Sequence, residues 1–420
     1  MSNAQDLGAF ALLGQSLRLL LADANTALKE LPGWQKLVHI FWLFGPFILL
    51  IERSPADVWL SFLALLFLGR SLWLGDGSWL RHLWVRAIFV FWFACILSSA
   101  FSLMPVHSIG EAISWFRFPL FAMATAFWLG RDKRLLYAMI LSIFCGMILM
   151  SGILVAEIFF EGFKDGRLTW PYGDAVPGNY LAKATMPAFL ICAAFAARNK
   201  LPIASLAAVT LGASLAISML TGERMNLILR IFSAGLAFSI MLLRVHNLLL
   251  MICVTALSIT AVLFFSPDFY RLILQFFERI PTSTNSDYFV VFHGAWVIFT
   301  DNAILGVGTG NYRELCPQLT EGLLNFRCDN HPHNYYVQLL AETGMLGFTT
   351  GIFMVCTIIV TLFKAGRAVP QNAVVATAYI VPFGFFFPMQ STADFFGQWN
   401  NIFLWSAVAV SMATLNLWAA

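Results

Sequence analysis

Two histidines end the longest polar segment of the chain and precede a long apolar run, in the sequence His331-Pro-His-Asn-Tyr335. An imidazole changes charge near neutral pH, so either histidine could accept a proton from an attacking hydroxyl group. Pro332 disfavours a helical backbone at His331, and Asn334 is a suitable N-cap for a helix that begins at Tyr335. His331 and His333 would then lie at the positive end of a helix, where anions bind favourably.

Glu342 follows in the same predicted helix and shares a helical face with Gln338. It would lie about 13 Å along the axis from His333. A carboxylate at that depth of an apolar helix costs several kcal/mol unless it has a partner, so it predicts a polar cavity inside the membrane. We expect Glu342 to orient a partner in that cavity, such as Tyr335 or an arginine.

A second group of residues offers positive charge for an anionic substrate. Arg117, Lys183 and Arg224 lie within or at the start of apolar segments, where ionisable residues are costly and usually functional. Because guanidinium groups bind phosphate bidentately, this cluster predicts a diphosphate-binding pocket. The structural alternative is a side chain that extends to the membrane surface or pairs with a carboxylate. The polar segment before His331 contains further arginines: Arg271, Arg279, Arg313 and Arg327.

Other kinds of site are compatible with single motifs. His331 and His333 could bind a metal with Asp329 and Asp301, but two imidazoles alone make a poor metal site. They could also be surface residues beside a helix cap. The glycine run 306–310 is not preceded by the strand of a βαβ unit, so it predicts a tight turn at a cavity rim rather than a nucleotide loop.

Composition places the chain in a membrane. Of its 420 residues, 60% are hydrophobic and 11% are charged, whereas a soluble protein has about 25% charged residues. The formal net charge is +3, and no basic face of the kind that binds nucleic acid is visible. The sequence predicts an all-α polytopic fold of twelve transmembrane helices. The predicted spans are 34–51, 55–74, 83–102, 111–130, 135–159, 178–197, 201–221, 223–243, 247–267, 335–363, 371–389 and 399–418.

The basic residues of the short loops predict the orientation of the chain. They fall on the side of the N-terminus, so both termini are expected in the cytoplasm. Residues 1–33 would form a cytoplasmic segment without a cleaved signal peptide. Residues 34–267 would hold spans one to nine, 268–334 a large periplasmic loop, and 335–420 spans ten to twelve. The loop residues that decide the orientation are Arg131, Lys133, Arg134, Arg198, Lys200, Arg244, Lys364 and Arg367.

Two of the seven cysteines, Cys316 and Cys328, lie in this large outer loop. This outer compartment is oxidising if the protein is bacterial, so we expect them to form a disulfide; the alternative is two free thiols. The other five lie in apolar spans and are predicted to be packing residues.

Four segments together resemble the O-antigen ligase and polymerase superfamily. They are the His-Asn and Gln-Leu-Leu-Ala-Glu-Thr-Gly-Met-Leu-Gly motif at 333–347, the segment 295–312 that runs into the glycine turn, Thr-Gly-Glu-Arg at 221–224, and the Pro/Asn-rich entry 176–182. The single large outer loop before the tenth span also matches. The similarity covers roughly residues 170–350.

The resemblance implies a metal-independent, membrane-embedded glycosyltransferase of the GT-C type that needs no cofactor. The donor would be an O-antigen glycan on undecaprenyl diphosphate, and the acceptor lipid A-core at the periplasmic face of the bacterial inner membrane. His333 would be the general base with His331 secondary, and Arg224 would stabilise the leaving diphosphate, with Arg279 and Arg313 as further candidates. No carboxylate pair is visible for a double displacement, which predicts inversion.

The sequence departs from the family at one point: the segment 288–296 lacks the arginine common there, and we expect Arg279 to take its place. Two alternative functions remain. A polymerase would use the same chemistry with a second lipid-linked glycan as acceptor. A transporter of lipid-linked sugars would show inverted repeats and interrupted helices, and no repeat is visible in the sequence.

Overall fold

The computed structural model describes residues 9–174, 176–198, 201–241, 245–265, 287–321, 327–388 and 393–418. These ranges are mostly helical, and the β structure they contain is one isolated bridge between Lys164 and Arg167. This confirms the predicted all-α, polytopic fold class.

The described residues up to 265 form thirteen α-helices, with 3-10 turns at Ser78–Arg81 and Leu129–Arg131. The α-helices are α1 Ala9–Glu30, α2 Gly33–Leu43, α3 Gly45–Ile48, α4 Arg53–Leu74, α5 Leu83–Ala100, α6 Pro105–Trp115, α7 Arg117–Phe127, α8 Lys133–Phe160, α9 Val176–Asn179, α10 Met186–Arg198, α11 Leu201–Leu220, α12 Arg224–Met241 and α13 Val245–Phe265. A π-helical turn, Tyr180–Ala184, connects α9 to α10.

The described part of the second half adds seven helices. They are α14 Asp287–Asp301, α15 Tyr312–Leu319, α16 Tyr335–Ala368, α17 Ala373–Thr377, α18 Ile380–Phe385, α19 Gln398–Ala413 and α20 Leu415–Trp418. The helices α14 and α15 occupy the described part of the expected outer loop, 268–334. The division of the chain into four topological segments stays a prediction.

The described helices support fewer spans than the sequence predicts. Eight are long and apolar enough to cross a membrane, and a ninth span results if the bent pair Val176–Ala184 and Met186–Ala197 crosses as one. The expected number of twelve therefore exceeds what these helices provide. Of the three missing spans, 34–51 and 371–389 are divided into short helices, and 247–267 contributes the shorter apolar stretch Val245–Ala261.

The division of 34–51 has a local cause. Pro46 has no N–H to donate inside a helix, and α2 ends at Leu43 just before it. The Trp59 indole packs so closely on Gly45 that a Cβ there would lie 2.1 Å from the ring. A hydropathy profile shows that residues 34–51 are apolar, but it does not show that the helix is interrupted at Pro46.

The start of α16 is fixed by an aromatic core. The ring of Tyr335 lies edge-on to Phe395 at 5.3 Å, and Phe395 stacks on Trp115 at 6.0 Å. All three side chains are buried. The helix that follows the two histidines is therefore anchored to α6 and to the chain just before α19.

Candidate active site

The sequence before α16 holds His333 in an exceptional backbone conformation. Its φ is +54°, in the left-handed region that costs an L-residue roughly 1–2 kcal/mol. The next residue, Asn334, is the N-cap: its Oδ1 accepts hydrogen bonds from the N–H groups of Tyr336 (3.0 Å) and Val337 (3.2 Å). Its Nδ2 donates to the Pro388 carbonyl at 2.9 Å. The cap thus holds the strained histidine at the mouth of the helix.

The imidazole of His333 has a carboxylate partner. Its Nε2 lies 3.2 Å from Oδ2 of Asp329, and the ring of His331 lies 4.3 Å away, centroid to centroid. Arg327 donates two hydrogen bonds to Asp329, at 2.9 and 2.7 Å, which hold the pKa of this carboxyl below its usual range; His333 contributes to the same effect. An ionised Asp329 accepts a hydrogen from Nε2. In the neutral imidazole, Nδ1 is then the nitrogen that can take a proton.

The start of α12 gathers positive charge around one carboxylate. Arg167 Nη1 lies 3.6 Å from Glu223 Oε1, and Lys183 and Arg224 are close enough to act on the same carboxyl. Burial raises the pKa of Glu223, and the three positive charges oppose that rise. Gly222 makes the approach possible, since its φ is +71° and a Cβ would lie 2.7 Å from Arg167. Arg167, Lys183 and Arg224 thus bring three positive charges close to Glu223, with Asp174 also near it, and a concentration of positive charge of this kind attracts anions.

A buried hydrogen-bond chain joins this cluster to the start of α16. Lys183 Nζ donates to Oδ1 of Asn400 at 2.5 Å, and Asn400 Nδ2 donates to the Tyr335 hydroxyl at 2.7 Å. Lys183, Tyr335 and Asn400 are each less than a tenth exposed. Tyr335 is two residues from His333. The structure therefore brings the two ends of the expected site, 221–224 and 331–335, to the same side of the bundle.

Other predicted substrate contacts have carboxylate partners. Arg117 is paired with Asp57 at 2.9 Å and lies over the ring of its neighbour Phe118 at 4.3 Å. Arg313 pairs with Glu314 at 3.2 Å, and both side chains are exposed. The ion-pair alternative considered for Arg117 is thus what the structure contains. Arg279 and Arg271 lie outside the described residues.

The glycine run forms the expected tight turn, and it docks on a break in α16. Gly344 interrupts that helix with φ +62° and ψ −166°. The break releases backbone groups, and the segment 303–308 bonds four of them. Val307 and Gly308 donate N–H to the carbonyls of 341 and 342, at 3.0 and 2.8 Å, while the N–H groups of 345 and 346 donate to the carbonyls of 303 and 304, at 2.8 and 3.2 Å.

Glu342 belongs to this junction, and its expected partners were wrong. Its carboxylate accepts hydrogen bonds from the backbone N–H groups of Gly310 (3.0 Å) and Tyr312 (3.2 Å), not from Tyr335 or an arginine. The side chain is 2% exposed. Its contacts hold the glycine turn against α16 at the N-terminus of α15, where a helix dipole favours negative charge.

A disulfide closes the outer segment. Cys316, in α15, is joined to Cys328 with Cα atoms 5.8 Å apart. The bond fixes the chain one residue before Asp329, the partner of His333. The expected disulfide is therefore present, and it ties the imidazole partner to α15.

Residues 184–352, less than half of the chain, match the sequence family described as O-antigen ligase. This match supports the resemblance of the segment to the O-antigen ligase and polymerase superfamily. The family's members are glycosyltransferase-like enzymes whose substrates are, in general, lipid-linked glycans and lipid A-core. A search of curated proteins found no match. Together with the apolar helices, the superfamily identifies a multi-pass membrane protein.

The matched region contains Arg224, His333, Glu342 and both bonded cysteines. It leaves out three residues that complete the site, two of which the sequence analysis missed: Arg167 and Asn400. The third is Lys183, which lies immediately before it. Asn400 could have been suspected, because it is a polar residue near the start of an apolar span. Arg167 lies in a polar loop, where its sequence context gives no signal. Within the described ranges, no group of three or more His, Cys, Asp and Glu side chains is placed to hold a metal.

Proposed function

We propose that this protein is an O-antigen ligase. It would transfer an O-antigen glycan from undecaprenyl diphosphate to a hydroxyl group of lipid A-core at the periplasmic face of the bacterial inner membrane. The observation that supports this most is the hydrogen-bond chain from the cation cluster at 221–224 to the mouth of α16. This hydrogen-bond chain connects the residues proposed to bind the diphosphate with the helix start that carries the proposed base, His333. Residues 184–352 also match the O-antigen ligase family.

In the proposed reaction, His333 removes the proton of the acceptor hydroxyl as its oxygen attacks the anomeric carbon. The bond from that carbon to the diphosphate oxygen breaks, and the diphosphate leaves with the electron pair. Arg224 and Lys183 stabilise the charge that develops on it. Asp329 orients the imidazole, and His331 lies against it. A single displacement of this kind inverts the anomeric configuration.

A reconstituted assay tests the assignment. Labelled glycan on undecaprenyl diphosphate is mixed with purified lipid A-core and the full chain, without ATP. We expect His333→Ala and Arg224→Ala each to lower the transfer rate by about 100-fold or more. The controls are His82→Ala and Arg81→Ala, in the loop between α4 and α5. Full activity of His333→Ala would exclude it as the base.

The interrupted helices favour one alternative that the same assay addresses. The bend of 56° between Val176–Ala184 and Met186–Ala197, and the break at Gly344, are features that transporters also use. A transporter would move the lipid-linked glycan across a vesicle membrane without forming a new glycosidic bond. Appearance of labelled glycan on lipid A-core separates the two functions.

A polymerase of the same superfamily is separated from a ligase by the product left in a deletion strain. Loss of a ligase leaves lipid A-core without glycan. Loss of a polymerase leaves lipid A-core that carries one repeat unit. We expect lipid A-core without glycan. Lipid A-core that carries one repeat unit would show that the protein is a polymerase and not a ligase.

A further inference from the structure

A charged cavity lies at the other end of the bundle from the candidate active site. Its volume is about 490 Å³, and it opens between α2, the end of α4 and the start of α8. Four cations line it: Arg70, Arg131, Lys133 and Arg134. The proposed transfer reaction uses none of them.

The helix α8 fixes the distance between the cavity and the active site. Its first residue, Lys133, lines the cavity. Near its other end, Glu157 accepts hydrogen bonds from the N–H groups of Thr169 and Trp170, in the loop that also carries Arg167. The 28 residues of α8 span about 42 Å. This exceeds the thickness of the hydrocarbon layer, so the cavity lies at the opposite membrane surface.

Two of the four cations have their charge balanced within the protein. Arg134 donates to Glu30 at 2.5 Å and to Asp132 at 2.7 Å, and Arg131 pairs with Asp76 at 3.2 Å. These ion pairs neutralise the charges of Arg131 and Arg134 in the loop that precedes α8. They also hold its backbone against α1.

The remaining two cations, Arg70 and Lys133, have no carboxylate within 4.0 Å in the part of the chain that the structure describes. The Arg70 guanidinium lies over the Trp128 ring at 5.2 Å. Its Nε is buried and has no hydrogen-bond partner in the described residues. A buried donor of this kind is costly when unsatisfied, so a bound acceptor is expected.

We propose that this cavity binds a phosphate ester, and that its source is the headgroup of an anionic membrane lipid. A guanidinium group is suited to bidentate contact with phosphate oxygens, and that of Arg70 lies over an indole ring. The cavity lies at a membrane surface, and Trp34, half exposed and 6.0 Å from Trp128, is placed as aromatic residues at a lipid interface are. Leu31 adds partly exposed apolar surface for the acyl chains.

Thermal melting of the purified full chain in uncharged detergent tests the proposal. The probes are dioctanoyl phosphatidylglycerol, dioctanoyl phosphatidylcholine and inorganic phosphate. We expect the anionic lipid to raise Tm in the wild type, and Arg70→Gln to weaken its apparent affinity by about fivefold. Arg70→Lys should retain part of the response. Arg81→Gln, which removes an exposed cation from the turn between α4 and α5, should respond like the wild type.

An equal response of wild type and Arg70→Gln to the anionic lipid would overturn the proposal, as would an equal rise in Tm with phosphatidylcholine. If inorganic phosphate gives the full rise dependent on Arg70, the lipid is the wrong source. Should Arg70→Gln fail to fold, Lys133→Gln carries the test, because Lys133 is exposed. Its affinity for the anionic lipid should also fall, and an unchanged affinity would contradict the site.

Discussion

At the residue scale, Asn400 and Asp329 act in the same way, each holding a group proposed to touch the substrate. Asn400 accepts from the Lys183 ammonium and donates to Tyr335. Asp329 accepts a hydrogen bond from Arg327 and also lies within hydrogen-bond distance of His333 Nε2. Neither residue needs to touch a sugar, so we regard both as positioning residues.

We expect Asp329→Asn to lower the transfer rate by about 10-fold to 100-fold, the range typical of a group that orients an imidazole. An amide can present its NH2 to Nε2, which would favour the tautomer that carries the proton on Nδ1. An Nδ1 that carries the proton cannot accept one, so the transfer rate should fall while the amount of folded protein stays the same. Asp301→Asn, on the exposed end of α14, is the control. A loss of folded protein that accounts for the whole loss of rate would assign Asp329 a purely structural role.

Asn400→Ala should leave the buried Lys183 ammonium without the one hydrogen bond it makes among the described residues. We expect a loss of stability that is smaller when Lys183→Met is also present, with a coupling of about 1–3 kcal/mol. A double-mutant cycle on unfolding in detergent measures it. Strict additivity of the two variants would show that the contact between them does not hold the site.

At the scale of elements, the glycine turn and the break in α16 form one unit. The turn forms hydrogen bonds with backbone groups that the break at Gly344 exposes. The two segments can approach this closely because both positions are glycine: a Cβ on Gly306 would lie 2.4 Å from Glu342, and one on Gly344 would lie 2.4 Å from Ile304. Glu342 closes the junction from within. The two motifs are therefore coupled by backbone contacts.

Gly344→Ala should disrupt this junction. The backbone at Gly344, with φ +62° and ψ −166°, lies in a region that is essentially restricted to glycine and costs alanine about 1–3 kcal/mol, and the contact with Ile304 adds to it. We expect a lower Tm together with a loss of transfer. The matched control is Gly235→Ala in α12, where a Cβ would meet nothing within 4 Å; helix propensity predicts a neutral or stabilising effect there. A wild-type Tm for Gly344→Ala would contradict the junction.

The disulfide supports the same element from outside. Replacing both Cys316 and Cys328 by Ser should lower the free energy of unfolding by about 2–3 kcal/mol, as loss of a crosslink closing a loop of this size does. The double variant should also be cut faster by protease between α15 and α16. Cys145→Ser with Cys253→Ser, two exposed free thiols, is the control. Cleavage at the rate of the control would show that this segment is held by other contacts.

At the scale of the whole molecule, the helices separate two charged regions. The proposed active site lies at one end of α8, and the cavity around Arg70 lies at the other. The density of basic residues at 131–134 predicts that the second end faces the cytoplasm. The same argument predicts a periplasmic position for the proposed active site.

Cysteine labelling in intact cells tests this orientation. Asp301→Cys and Lys133→Cys, both at exposed positions, should react differently with a membrane-impermeant maleimide once the outer membrane is opened. We expect position 301 to react at once and position 133 only after the inner membrane is permeabilised. Reaction of both positions from the same side would overturn the topology.

Much of the site could be predicted from the sequence, because its parts have local signals. The Asn334 cap, the two histidines beside it and the pair of cysteines lie within short stretches whose chemistry can be read directly. Arg167 and Asn400 could not be assigned in this way. Their roles depend on Glu223 and Lys183, which lie more than 50 and more than 200 residues away along the chain.

By itself, the sequence determined the class of the protein: an apolar, helical chain in a membrane, with ionisable residues that an apolar medium tolerates only for a function or with a partner. Only the tertiary structure decided which of these residues have partners inside the protein. Arg117 proved to be paired with Asp57, and Glu342 with backbone N–H groups. The physical reason is that the cost of burying a charge depends on what surrounds it in space, and that surrounding comes from distant parts of the chain.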